Sequence, residues 1–281
     1  MKILGTPVGC SEFVKKETNA RIEKERQLWE AIPAVDDLQA AWQIVLQSAG
    51  PRCNYFLRTL PPSASAEYAA AHDAGMWSTM NNLLKQIPGT ERALGMASAI
   101  ATLPMRLGGL GLRSAQRTAP AAFWASWADA LPMLAARCPR LVTNLLEDFA
   151  DANVTNPIIR ELREAELLLK REGFLSMPSW DQLRQGVRPD QIIRQSVEPG
   201  EWSHGWQYFA SSSRERHFRR CGVLAASTPA ECAHLRSRSG PGASAALSVC
   251  PTSPEFQIDP PLFRGLLLDR LRFPLQVSER M

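Results

Sequence analysis

Leu103 to Ala115, LPMRLGGLGLRSA, sets Gly108, Gly109 and Gly111 between Arg106 and Arg113. Glycine has no side chain to bar a ligand from the backbone amides, so such a stretch can cradle phosphate while the arginines supply counter-charge. As a nucleotide loop the pattern is poor. A dinucleotide loop needs G-x-G-x-x-G between a strand and a helix, and a P-loop needs G-x-x-x-x-G-K-[ST]. Here G-G-x-G follows a helical pattern and no lysine comes after it. A turn between two helices, with phosphate contact secondary, is the expectation.

A second stretch, WSHGWQYFASSSRERHFRR, interleaves Trp202, Trp206, Tyr208, Phe209 and Phe218 with Arg214, Arg216, Arg219 and Arg220. Aromatic rings that stack bases and cations that neutralise phosphates make this a nucleic-acid-binding candidate. An amphipathic helix with its aromatics in the core and its arginines in water has the same pattern. His204, His217, Cys221, Cys232, His234 and Cys250 are metal-ligand types, but no C-x-x-C occurs and their intervals match no common zinc spacing. The only adjacent aspartates, Asp36 and Asp37, stand where a helix should start and serve as caps. No G-x-S-x-G elbow appears and no acid, base and nucleophile set converges. No enzyme activity, metal or cofactor is expected.

The 281 residues carry 32 basic and 28 acidic side chains, a net charge of +4, with 45% hydrophobic residues. That is ample apolar material for a core, and a charge too small to announce a polyanion partner by itself. The distribution is uneven. From Leu103 to Arg140, Arg106, Arg113, Arg117, Arg137 and Arg140 face only Asp129. From Glu201 to Gly240, Arg214, Arg216, Arg219, Arg220, Arg236 and Arg238 face Glu201, Glu215 and Glu231. The alternating charges of Lys15 to Glu30 read as a solvated helix face. The start MKILGTPVGC has an apolar run too short for a secretory signal, and no apolar stretch is long enough to cross a bilayer. A soluble nuclear or cytoplasmic protein with reduced thiols, making no membrane contact, is expected.

These residues sit in a chain that reads as helix after helix. Only Lys2 to Val8 has a strand signal. Ser11 opens a helix to about Ile32. Asp36 with Gln39 forms a capping-box pattern for a helix bearing Leu38, Trp42, Val45 and Ala49 on one face and ending at Gly50. Tyr68, His72, Met76, Met80, Leu84 and Ile87 keep helical spacing, and Thr90 opens a helix that Pro104 stops. Thr118 is expected to cap the helix carrying Phe123, Trp124 and Trp127, and Asn156 with Pro157 opens one that ends at Gly173. A Pro/Gly/Ser-rich tail begins near Pro199. In it, Thr228 with Glu231 and Asp259 with Pro260 start short helices; the second, Leu262 to Leu271, is apolar enough to need a partner surface.

The stretch LPMRLGGLGLRSAQRTAPAAFWASWADAL resembles the segment downstream of the polymerase core in reverse transcriptases of non-LTR retrotransposons. KILGTPVGCSEF is similar to that family's palm-closing strand-turn, and DLQAAWQIVLQSAGPRCNYFLRTLPP to its helical thumb. The resemblance covers residues 1 to about 135, with a weaker match from PGEWSHGWQYFASSSRERHFRR through FRGLLLDRLRFPL. It implies a mainly α fold: an irregular multi-helix, thumb-like array with a short N-terminal strand remnant and a loop-rich C-terminal tail. The implied segments are residues 1–14 (palm end), 15–102 (thumb), 103–198 (glycine loop with basic and amphipathic helices) and 199–281 (tail). The family's Y-x-D-D, which holds two metal ions for phosphoryl transfer, is absent from this sequence. The expected function is therefore weak, sequence-tolerant contact with an RNA or DNA backbone through Arg106, Gly108, Gly109, Gly111, Arg113, Arg117, Trp206, Arg214, Arg216, Arg219 and Arg220. The alternatives are a helical protein-interaction module using Leu262 to Leu271, and a remnant of an inactive element.

Overall fold

The computed structural model describes residues 1–85, 87, 89–151, 153–193 and 204–273. The boundary expected near Pro199, and Trp202, lie outside these. The fold is mainly α. A small antiparallel hairpin pairs β1 (Lys2–Ile3) with β2 (Thr6–Pro7) in the register Lys2 to Pro7 and Ile3 to Thr6. It is followed by α1 (Ser11–Ala31), α2 (Leu38–Ile44), α3 (Asn54–Thr59), α4 (Pro62–Leu83), α5 (Glu91–Ala101) and α6 (Ala115–Arg137). Next come α7 (Pro139–Ala150), α8 (Pro157–Arg171), α9 (Trp180–Arg184), α10 (Pro189–Ile192) and α11 (Trp206–Phe218). Then come α12 (Pro229–Ser237), α13 (Ala245–Ser248) and α14 (Pro260–Arg270).

Two compact units form, each from separated segments. Unit 1 comprises residues 1–14, 54–67 and 116–217; unit 2 comprises 15–53, 68–115 and 218–281.

The core of unit 1 is aromatic. Trp124 is fully buried and meets Phe174, Trp206 and Trp180 at ring-centroid distances of 5.5, 6.2 and 6.1 Å. Phe149 lies 4.7 Å from Trp180 and 5.9 Å from Trp127. The contacts of Trp124 with Phe174 and Trp206 and of Trp127 with Phe149 are edge-to-face, a geometry that adds to the area they bury. Around this core run polar ties. Glu161 caps the start of α4, accepting from Ser63 N at 2.9 Å and Ser63 Oγ at 2.6 Å. Arg58 donates to Asp129 and to Gln207, each at 2.8 Å.

Unit 2 packs around Trp42, whose Nε1 donates to Leu247 O at 2.9 Å. Buried Gln39 donates to Val249 O and Phe256 O and accepts from Ile258 N, all at 3.0 Å, and so fastens the irregular tail to α2. The stripe Tyr68, His72, Met76, Met80, Leu84 and Ile87 is buried throughout, as its spacing predicts. The Lys15 to Glu30 run is solvated as expected at Lys15, Lys16, Glu23, Lys24, Arg26 and Glu30, but departs from expectation at Glu25, which is 0% exposed. Its Oε1 accepts from Tyr68 OH at 2.8 Å and Arg21 Nε at 2.9 Å, and its Oε2 lies 3.0 Å from His72 Nδ1. A carboxylate can be buried at the centre of a charged run because these partners replace its water.

Caps explain where several helices begin. Asp37, one position beyond the expected Asp36, accepts from Gln39 N at 2.8 Å and Ala40 N at 3.0 Å. Thr90, Asn156, Thr228 and Asp259 cap as their sequence patterns predict, with a complete capping box at Thr228 and Glu231. Thr118 does not cap α6. The helix starts earlier, at Ala115, because Asp73 accepts from Ser114 Oγ and Ala115 N, each at 2.6 Å. That cap comes from a distant part of the chain, where no local pattern could announce it.

Candidate nucleic-acid interface

The glycine segment is a tight turn after α5. Leu107 N donates to Pro104 O at 2.8 Å and closes a 3₁₀ turn; Gly108 follows at φ +94°, a left-handed conformation suited to glycine. Gly109 is a steric requirement of another kind. A Cβ there would stand 2.2 Å from Leu103 O and 2.4 Å from Ile100 O. The amides expected to face a phosphate are turned inward instead. Gly108 N donates to Met105 O (3.0 Å), Gly109 N to Pro104 O (3.2 Å) and Gly111 N to Leu103 O (2.8 Å). The turn is held by its own backbone and offers no amide cradle.

It offers a meeting point for cations. Gly108 lies so close to α12 that an added Cβ would be 2.7 Å from Leu235 Cδ1 and 3.0 Å from Ser239 Oγ. Gly240 N donates to Arg106 O at 3.0 Å, and Arg219 Nη2 donates to Ser239 Oγ at 3.0 Å. The start of the first arginine-rich stretch and the end of the second, far apart in sequence, therefore meet within unit 2. Arg106, Arg236 and Arg238 are exposed, and Arg219 is half-buried. Burial, and then the neighbouring Arg236 cation, pull the Arg219 pKa below the usual guanidinium value. Among the described residues its Nε is buried without a hydrogen-bond partner.

Asp269 answers part of this charge: it pairs with Arg238 Nη2 at 2.7 Å and lies 3.3 Å from His234 Nε2. Behind the turn, Arg270 is 4% exposed. Its Nη1 donates to Gly109 O at 2.8 Å and Met105 O at 3.3 Å, and its Nη2 donates to Ala243 O. Burial and Arg238 lower its pKa. Arg270 braces the turn through carbonyls, and its charge adds to the local positive potential.

The remaining expected contacts are distributed differently. In unit 1, Arg117 forms an ion pair with Glu215, with Nη2 to Oε2 at 3.0 Å, and both side chains are largely buried. Arg214 pairs with Glu172 at 2.5 Å and its Nη1 donates to Arg117 O at 2.6 Å. These arginines tie α11 to α6 and to the end of α8, and their charge is compensated there. Trp206 is 3% exposed, a core side chain and not a stacking platform. Arg216 is exposed on α11, donating to Ser213 Oγ at 3.4 Å. Arg113 and Arg220 are exposed in unit 2.

Arg236, Arg238 and Arg270 were not among the expected contacts. The local excess of arginine was the only sequence signal for the first two. Arg270 lies in a leucine-rich helix and carries no such signal. That helix has its apolar face covered within its own unit: Phe263, Leu267 and Leu271 are buried, and Leu262 is exposed.

Among the described residues, no group of three or more His, Cys, Asp or Glu side chains is arranged to hold a metal ion. Among them, too, no helix is long and apolar enough to cross a membrane. No family, curated protein or solved structure that was compared matches the chain.

Proposed function

We propose that this chain contacts the phosphate backbone of a nucleic acid, without polymerase activity of its own, as the thumb-and-tail portion of a protein resembling non-LTR retrotransposon reverse transcriptases. The observation that carries the reading is the crowding of Arg219 against Arg236 and of Arg270 against Arg238 beside the glycine turn, with Asp269 paired to Arg238 and the Arg106 backbone joined to Gly240. Gathering like charges costs free energy in the isolated protein, and an anion spanning them recovers it. The contact is to the charged backbone and not to stacked bases, because Trp206 is withdrawn into the core. The alternative interaction module loses its main support, since α14 already spends Phe263, Leu267 and Leu271 on unit 2.

Fluorescence anisotropy with a labelled RNA–DNA hybrid and a DNA duplex of equal length, at a series of salt concentrations, tests the proposal. Affinity falls linearly in log–log form with salt, and the hybrid, which a reverse-transcriptase thumb would hold, binds at least as tightly as DNA. Arg219→Glu with Arg236→Glu reduces the salt slope by roughly 1 to 2. A flat salt response, or unchanged affinity in the double variant, overturns it.

A further inference from the structure

Unit 2 also contains an open cleft of about 490 Å³ where the end of α4, the entry to α2 and the first turn of α14 meet. Its volume lies in the range of small-molecule sites, roughly 300 to 1,000 Å³. Pro33, Val35, Leu38 and Pro261 provide an apolar lining, and four polar side chains, Asp36, Asn82, Lys85 and Arg264, share the same walls.

Lys85 is held there under strain. Its φ is +53°, a left-handed conformation that costs a residue with a Cβ on the order of 1 kcal/mol. The surrounding hydrogen bonds impose it: Leu84 N to Met80 O at 3.0 Å, Lys85 N to Asn82 O at 2.9 Å, and Ile87 N to Asn81 Oδ1 at 2.9 Å. Arg264 is fixed as well, because Nε and Nη2 both donate to Leu84 O, at 3.2 and 2.7 Å. Among the described residues its Nη1 makes no hydrogen bond to the protein. Asp37 is committed to capping α2, which leaves the Asp36 carboxylate out of the cap.

We infer that this cleft binds a phosphorylated nucleotide. Lys85 and Arg264 receive the phosphate, a charge-assisted contact in which arginine supplies directed donors. The flat base lies against the proline and valine lining. Asp36 accepts from an exocyclic amino group or a ribose hydroxyl. An anion without hydrogen-bond donors would be repelled by Asp36, and a neutral apolar molecule would leave both cations unused; a nucleotide satisfies all three groups. The same chemistry is offered by a free mononucleotide and by the 5′-phosphorylated end of a strand. The site is separate from the arginine face, so either assignment can fail alone.

Calorimetric titration of the full chain with AMP, adenosine, inorganic phosphate and a short 5′-phosphorylated oligonucleotide tests the assignment. AMP, or the oligonucleotide if the strand end is the source, the latter titrated into Arg219→Glu with Arg236→Glu so that the arginine face does not contribute, binds at one site, with adenosine and phosphate each about tenfold weaker or more. Lys85→Gly removes the cation and also relieves the left-handed strain. It therefore folds with unchanged or raised thermal stability while weakening the bound probe about tenfold. Arg219→Glu with Arg236→Glu leaves AMP binding intact. The assignment is overturned if neither phosphorylated probe binds, or if a folded Lys85→Gly protein binds them as tightly as the parent.

Discussion

Replacing Glu25 by glutamine removes the charge on which the polar centre of unit 2 is built. Glu25 receives Arg21, Tyr68 and His72 at 2.8 to 3.0 Å, and His72, like Glu25, is 0% exposed. Glutamine keeps the shape but leaves the His72 proton without its counter-ion. Breaking one side of a buried ion pair costs about 3 to 5 kcal/mol. The titration of His72 leads to a similar figure. Burial opposes its protonation, but hydrogen bonds and charge from Cys53 and Glu25 outweigh burial and push its pKa from 6.5 up to about 10. At about 1.4 kcal/mol per unit, that shift corresponds to at most about 5 kcal/mol, shared between Cys53 and Glu25, so that the part lost with Glu25 is smaller.

Because the folded-state pKa is raised, the stabilisation is complete below pH 6.5 and is lost as pH climbs towards about 10. At the acid end, burial raises the Glu25 pKa but its three hydrogen-bonded partners lower it further, so stability also falls as pH drops through the carboxylate range. Urea unfolding followed by tryptophan fluorescence at about pH 6 and about pH 9.5 reads both effects. The parent midpoint falls between these pH values; Glu25→Gln is destabilised at the lower pH and falls less between them, because only the Cys53 share of the His72 shift remains. Parallel pH profiles for the two proteins, or an NMR titration placing His72 near 6.5, would refute the reasoning.

Other substitutions separate structural from binding roles. Trp206→Ala costs about 3 to 5 kcal/mol of stability, seen as a lowered urea midpoint, because it empties the aromatic core of unit 1. In α5, Gly95→Ala has nothing within 4 Å of the new methyl group and stabilises by about 0.5 to 1 kcal/mol, whereas Gly109→Ala collides with two carbonyls and lowers the melting temperature. A double-mutant cycle across Arg117 and Glu215 shows coupling above about 1 kcal/mol, since the pair is largely buried; coupling near zero would class it with exposed ion pairs. Leu267→Asp lowers stability without changing the oligomeric state in light scattering, because Leu267 is buried within its own unit.

Helix content was legible from the chain alone because period and cap are local properties. The Tyr68 to Ile87 stripe needs only 3.6-residue spacing, and Thr228 with Glu231 needs only three residues of separation to complete its box. The glycine turn was legible for the same reason: G-G-x-G after a helix demands a reversal. What the arginines do was not local. Arg117, Arg214, Arg219 and Arg236 are chemically alike in sequence, and only tertiary contacts pair the first two with Glu215 and Glu172 while crowding the last two together. Glu25 makes the same point inside a charged run. Side-chain type sets what a residue can do, but the partners that replace its water, brought from distant segments, decide whether its charge is buried, cancelled or presented.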